Sequence, residues 1–136
     1  MIVITKNLRV NQLSDAEYER YLAYLTVLDA RDVDAYAAHL ADDVVMQFGN
    51  AEPVRGKDAV TAMLAGYWQS FAAIEHDLTN IYGTDQAYVL EADNHYVRHD
   101  GERVTVRAVA FTDKDEAGKV TSVRIYGDTS PVFAST

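Results

Sequence analysis

The amino-acid sequence predicts an α+β domain, in which a curved and mostly antiparallel sheet packs against three helices. Two observations carry this prediction. In the first half of the chain, apolar residues recur at the 3.6-residue period of helices that bury one face, whereas from residue 74 onward the period falls to about two. Turn residues then divide the second half into four consecutive strands. The predicted element order is α-α-β-α-β-β-β-β, which is typical of helices layered on an antiparallel sheet.

Length, charge and composition limit the kinds of partner. The 136 residues fit one domain, expected to span 1–136 with short extensions at 1–13 and 131–136. The net charge of −9 argues against nucleic acid, since that binding depends on Lys and Arg neutralising phosphates. The sequence has no cysteine, which excludes disulfides and thiol nucleophiles. The apolar run at residues 1–4 is too short for a signal sequence or a membrane span, so we expect a cytoplasmic protein that does not contact membranes.

Helix start signals locate the helices. Ser14 followed by Glu17 is a capping box, in which the serine caps the first turn and the glutamate reaches back to the chain. The stripe behind it is apolar except for its last member, Asp29. A second helix starts at Asp32, and a strand is expected at 44–48. The third helix carries the clearest apolar stripe, made of Val60, Met63, Leu64, Tyr67, Trp68 and Phe71.

The four strands are predicted at about 74–82, 87–98, 103–112 and 119–128, with short turns that favour antiparallel hairpins. On the second strand, the more apolar set is expected to face inward, and a slip of one residue would exchange the two faces; this set is Tyr88, Leu90, Ala92, Asn94 and Tyr96. On the third strand both faces carry apolar residues, although an isolated domain would leave one in water. We therefore expect a homodimer through the outer face of the sheet.

Several stretches resemble a known family. They are Leu28 to Ala35 (LDARDVDA), Leu40 to Val45 (LADDVV), Val54 to Val60 (VRGKDAV), His76 with the Thr79-Asn80 pair, and the closing run from Arg124 to Pro131. The chain resembles the nuclear transport factor 2-like superfamily, and within it the SnoaL-like polyketide cyclases and relatives of ketosteroid isomerase. The resemblance covers roughly residues 14–133 and implies a cone-shaped, barrel-like fold with a deep, mostly apolar pocket. The superfamily hosts isomerases, cyclases, dehydratases, hydrolases and non-enzymes, so fold alone does not specify activity.

The chain departs from the ketosteroid isomerase pattern at two positions. Tyr24 falls where those enzymes carry their oxyanion-stabilising tyrosine, but Phe48 falls at the position of the aspartate base. Ala108 falls at the position of the second, protonated aspartate. Because Phe cannot take a proton and Ala cannot donate a hydrogen bond, steroid isomerisation by that route is not expected.

Asp128 is one of two candidate catalytic residues. The resemblance to SnoaL-like cyclases implies an acid/base aspartate on a late strand, and Asp128 is the best match. In an apolar pocket, desolvation would raise the pKa of this carboxyl toward neutral pH. The alternative is a structural aspartate that caps the turn before Ser130 and Pro131.

His76 is the second candidate, because imidazole exchanges protons near pH 7. Its strand parity places it on the more apolar face, with Ile74, Leu78, Asn80 and Tyr82. The alternative is a buried histidine that is bonded to a backbone carbonyl. Tyr24 and Asn80 are expected to form hydrogen bonds with a substrate, and the predicted pocket wall contains Phe48, Trp68 and Tyr96. For Tyr24 and Trp68, simple packing in the core remains open as an alternative.

No metal or cofactor is expected. His95 and His99 would lie about 13 Å apart along a strand, too far to share a metal. The loop at 113–118 starts like a calcium loop but has Ala117 at a ligand position. The sequence therefore predicts a cofactor-independent cyclase, dehydratase or isomerase that uses general acid/base groups on a small, largely apolar carbonyl compound. The alternative is a non-catalytic ligand-binding or dimerisation module of the same fold.

Overall fold

A computed structural model describes residues 3–133 of the chain. The elements follow the predicted order, with two short strands and a short final helix added. They are β1 (Val10–Asn11), α1 (Asp15–Asp29), α2 (Val33–Ala37), β2 (Leu40–Phe48), β3 (Val54–Arg55), α3 (Lys57–Trp68), β4 (Ala73–Thr84), β5 (Ala87–Val97), β6 (Arg103–Lys114), β7 (Val120–Gly127) and α4 (Ser130–Phe133).

The strands form one strongly curved, unclosed sheet in the order β1-β4-β5-β6-β7-β2-β3. Pairing is antiparallel from β4 through β7, as the short turns predicted. In contrast, β2 joins β7 in parallel and β1 joins β4 in parallel. The helices pack on the concave face, where the buried core lies. The predicted α+β architecture with a curved, mostly antiparallel sheet is confirmed.

The start of α1 confirms half of the predicted capping box. The Ser14 hydroxyl accepts the backbone N–H of Glu17 at 3.2 Å, but the Glu17 carboxylate does not reach back to the chain. It is buried, forms ion pairs with Lys114 and Arg20, and accepts the hydroxyl of Tyr88 at 3.2 Å. A buried carboxylate is strongly unfavourable unless it has charged partners, whereas an exposed helix start loses little without a second cap. This explains why Glu17 forms ion pairs and does not complete the capping box.

Arg31 fixes the turn between α1 and α2. Its backbone lies in the left-handed region, with φ of 56°, so the chain reverses sharply after α1. The guanidinium donates hydrogen bonds to the carbonyl oxygens of Trp68 at 3.2 Å and Phe71 at 3.0 Å. The end of α1 is thereby fastened to the end of α3. The apolar stripe of α3 continues to Phe71, which is fully buried although the helix ends at Trp68.

A β-bulge in β4 reverses the strand parity partway along. Leu78 pairs with Ala92, but Asn80 pairs with Glu91, so Thr79 is the extra residue. Before the bulge, the side chains expected to face inward do so; beyond it, Ile81 faces the core and Tyr82 is exposed. The predicted inward placement of Asn80 and Tyr82 is therefore wrong, because uniform alternation does not survive an inserted residue.

The buried ion pair between Lys114 and Glu17 gives a stability prediction. Replacing Lys114 by Met keeps the side-chain volume and leaves the Glu17 carboxylate without its buried cation. The free energy of unfolding should fall by about 3–5 kcal/mol, measured by urea denaturation. The matched double variant, E17Q/K114M, buries no charge and should recover much of the loss. A K114M protein that unfolds at the wild-type urea concentration would contradict this assignment.

Candidate active site

A cavity lies between the helices and the concave face of the sheet. Its inner part has a volume of about 70 Å³. An adjoining pocket of about 240 Å³, which we call the mouth, shares part of the same wall; the shared residues are Phe48, Tyr67, Asn94, Tyr96, Ala108 and Ile125. An engineered cavity of about 150 Å³ holds benzene, so a ring-sized ligand would have to extend from the inner part into the mouth.

The cavity exists because small residues on the sheet face large residues on the helices. Ala92 on β5 is paired with Ala108 on β6, and Ala110 follows on the same face. These methyl groups leave space that longer side chains would fill. The opposite wall is aromatic and contains Tyr24 and Trp68. The result is a mostly apolar chamber, the usual environment for a small-molecule site.

Asp29 and His76 form a buried pair at the cavity wall, which we call the Asp29–His76 dyad. One carboxylate oxygen of Asp29 lies 2.5 Å from His76 Nδ1, and the other accepts the backbone N–H of His76 at 2.9 Å. Asp29 is completely buried, and the side chain of His76 lines the cavity. Because the carboxylate accepts from Nδ1, a neutral His76 keeps its proton there. Nε2 is then the nitrogen that can take a proton from a ligand.

Two pairs of tyrosine hydroxyls also border the cavity. Tyr24 and Tyr36 are hydrogen-bonded at 2.6 Å, and Tyr67 and Tyr96 at 2.9 Å. Burial raises the pKa of all four hydroxyls, so they stay protonated at neutral pH. In each pair, one hydroxyl donates to the other, which leaves one hydrogen available to a ligand. The tyrosines are thus hydrogen-bond donors rather than bases.

Asn94 adds an amide to the same wall. It lies directly across the β4–β5 ladder from His76 and is 7% exposed. Its side-chain oxygen, Oδ1, is buried and has no hydrogen-bond partner among the described residues. Most buried polar atoms in native proteins are hydrogen-bonded.

The structure places five of the seven predicted site residues around the cavity. They are His76, Tyr24, Phe48, Trp68 and Tyr96. The inward set predicted on β5, which includes Asn94 and Tyr96, is indeed buried. Asn80 does not line the cavity, because the bulge in β4 turns it to the other face, where its amide donates to Glu91 at 2.6 Å.

Asp128 is exposed and lies outside the cavity wall. Its carboxylate accepts the backbone N–H of Ser130 at 3.0 Å, which is the turn-capping geometry of the alternative interpretation. Hydrogen bonds from Ser130 lower the pKa of Asp128, where the catalytic prediction required it to be raised. The structure therefore does not bring Asp128 and His76 together.

Sequence reasoning did not identify Asp29, Tyr36 or Asn94 as site residues. For Asp29 an indication was present, since it is the polar last member of an otherwise apolar helical stripe. Buried carboxylates are rare unless they are paired, so such a position points to a partner elsewhere in the chain. Sequence alone does not show that this partner is His76, which lies 47 residues further on.

Within residues 3–133, no group of three or more His, Cys, Asp or Glu side chains is arranged to hold a metal ion. In the same range, no helix has the length and apolarity needed to cross a membrane.

Comparison with known proteins identifies the family. The SnoaL-like domain matches residues 21–123. Among solved structures, a protein from Jannaschia sp. CCS1 named as a SnoaL-like polyketide cyclase is 18% identical, with a TM-score of 0.75 and coverage of 90% of this chain and 92% of that one. An epoxide hydrolase of Mycobacterium tuberculosis is 23% identical, with a TM-score of 0.70 and 86% coverage of each chain.

A further Mycobacterium tuberculosis protein, crystallised with estradiol-17β-hemisuccinate, is 19% identical, with a TM-score of 0.72 and coverage of 86% of this chain and 97% of that one. No curated protein matches the chain significantly. These likenesses support the fold found here, and the domain match covers most of the chain. The chain belongs to the SnoaL-like domain family, within the nuclear transport factor 2-like superfamily.

Proposed function

We propose that this domain is a cofactor-independent enzyme that moves a proton on a small, largely apolar carbonyl compound. The observation that carries the proposal is the Asp29–His76 dyad, a paired carboxylate and imidazole at the wall of an apolar cavity. Both side chains are buried, and the ring of His76, held at Nδ1 by Asp29, borders the cavity.

The dyad has the parts of a general base. Asp29 holds the imidazole by two contacts, one to the ring and one to the backbone, so ring orientation and tautomer are both set. Nε2 of His76 takes a proton from the ligand, and the resulting imidazolium is stabilised by the Asp29 carboxylate. The same proton can then return to another atom of the ligand. General acid/base catalysis of this kind contributes roughly 10²- to 10⁴-fold in rate.

The tyrosine pairs supply the complementary function. When a proton leaves the carbon next to a carbonyl group, negative charge develops on the carbonyl oxygen. A hydrogen bond aimed at that oxygen in a water-poor site stabilises the charge. The pair formed by Tyr67 and Tyr96 retains one free hydrogen and lies where the inner cavity meets its mouth. It is the donor that we assign to this role.

Proton removal next to a carbonyl is the shared first step of several reactions. Cyclisation, dehydration and isomerisation differ in what the resulting enolate does next. The related protein that was crystallised with a steroid hemisuccinate supports a small organic ligand in a fold of this kind. Phe48 and Ala108 stand where the isomerase route needs aspartates, so the base is proposed to be His76.

The dyad can be tested before the natural substrate is known. We expect wild-type protein to catalyse exchange of the α-hydrogens of 2-tetralone or 2-decalone with deuterium from D2O, followed by NMR. The H76Q variant should lose the catalysed exchange, and D29N should lower its rate by about 10²-fold or more, because the imidazole loses its orienting partner.

The chain contains its own matched control for this experiment. His95 is also paired with an aspartate, Asp77, at 2.9 Å, but lies outside the cavity wall. The H95Q variant should therefore exchange like wild type, whereas A108L, which fills the cavity, should not. If wild type exchanges no faster than an equal concentration of imidazole, or if H76Q retains the rate, the proposed function is wrong.

We further propose that two copies of the chain pair through the outer face of the sheet. Tyr82, Phe111 and Tyr126 are 42%, 38% and 48% exposed on this face, an unusual exposure for large aromatic side chains. Phe111 packs against Tyr126 with ring centroids 6.0 Å apart, and Val89 pairs with both Tyr82 and Phe111 in the ladder. A contiguous apolar patch of this kind marks a protein contact.

The dimer proposal predicts a mass of twice 15.1 kDa for wild type in sedimentation velocity. The F111K/Y126K variant should sediment as a monomer, because a two-fold interface would bring the introduced like charges together. Its melting temperature as a monomer reports whether the fold is intact. A wild-type protein that stays monomeric at every concentration would contradict the dimer.

A further inference from the structure

We propose that Asn94 recognises a hydroxyl group of the ligand, close to the position at which His76 acts. The identity of the reacting position rests on the proposed function, whereas the recognition of the hydroxyl rests on Asn94 itself. The proposal narrows the substrate class from carbonyl compounds in general to those that also carry a hydroxyl group.

The side-chain oxygen of Asn94 lacks a hydrogen-bond partner among the described residues. Asn94 is more than nine-tenths buried and borders both the inner cavity and its mouth. An amide oxygen accepts hydrogen bonds, and burial without a donor is unfavourable. In the ligand-free protein the oxygen itself is closed off from the cavity. Rotation of the amide about its terminal bond would turn it toward a ligand hydroxyl, which would then supply the missing donor.

Asn94 also lies beside His76 of the dyad. Asn94 is the cross-strand partner of His76, and directly opposite residues on one face of a sheet have Cβ atoms about 5 Å apart. A ligand that reaches both side chains therefore carries its hydroxyl roughly two or three bonds from the atom that meets His76. Hydroxy ketones and phenolic ketones have this arrangement.

Asn80 provides a matched comparison within the chain. Its Oδ1 also lacks a partner among the described residues. Its amide nitrogen, however, donates to Glu91 at 2.6 Å, and the side chain lies outside the cavity wall. Asn80 is thus a structural asparagine, and it shows what substitution of a structural asparagine does to this protein.

The first measurement compares the melting temperatures of the ligand-free N94L and N80L variants. Leu is close to Asn in size and removes the unpartnered amide of Asn94, so N94L should melt at the wild-type temperature or a few degrees above it. N80L loses its hydrogen bond to Glu91 and should melt a few degrees lower. If N94L melts as low as N80L, Asn94 is structural and the proposal is overturned.

The second measurement tests recognition by titration calorimetry with 2-naphthol and 2-methoxynaphthalene. The methoxy compound is the more apolar probe but has no hydrogen to donate. We expect wild type to bind 2-naphthol roughly tenfold more tightly, and N94L to lose this preference. A wild-type protein without a preference for 2-naphthol, including one that binds neither probe, overturns the proposal, as does an N94L protein that keeps the preference.

These measurements separate the recognition from the chemistry. If wild type prefers 2-naphthol and N94L does not, Asn94 recognises a hydroxyl group whether or not His76 catalyses deuterium exchange. If exchange depends on His76 but neither protein distinguishes the probes, the acid/base function stands and the assignment of Asn94 falls.

Discussion

The contact between Asp29 and His76 is the constraint on which the site depends. Asp29 is the last residue of α1 and is completely buried, a position that would destabilise the fold if the carboxylate lacked partners. Both of its oxygens are occupied by one residue of β4. This contact fixes the end of α1 against the sheet, and the hydrogen bonds of Arg31 fix the same end against α3. The cavity is therefore bounded by elements that cannot shift independently.

The rest of the cavity follows from a contrast in side-chain size. Ala92, Ala108 and Ala110 leave room on the concave sheet, while aromatic rings fill the side of the helices. The tyrosine hydroxyls are bonded in pairs, Tyr24 of α1 with Tyr36 of α2 and Tyr67 of α3 with Tyr96 of β5. Paired hydroxyls let tyrosine enter an apolar core without an unsatisfied polar atom, yet each pair keeps one hydrogen free. The cavity wall is thus mostly apolar, and the tyrosine pairs provide hydrogen-bond donors in addition to the dyad.

Sequence reasoning predicts the fold of this chain better than its site. The period of the apolar residues gave the element order, and Ser14 and Asp32 marked helix starts that the structure confirms. The errors arose where the folded structure departed from a pattern that is local in the sequence. The bulge at Thr79 places Asn80 on the face away from the cavity. The carboxylate of Glu17 pairs with Lys114, 97 residues away, and not with the start of its own helix. Asp29 was visible as a polar residue in an apolar stripe, but its partner is defined only by the folded chain.

The two aspartate–histidine pairs of this protein show why residue types alone do not locate a site. His95 is bonded to Asp77 on one ring nitrogen and to Thr105 on the other, at 2.9 and 2.8 Å, so neither nitrogen is left for a ligand. Burial alone would raise the pKa of Asp77, but the hydrogen bonds from His95 and Asn7 outweigh it and lower that pKa. That pair stabilises the folded protein. His76 uses only Nδ1 for its aspartate, and its ring borders a cavity, which is why we propose His76 and not His95 as the base.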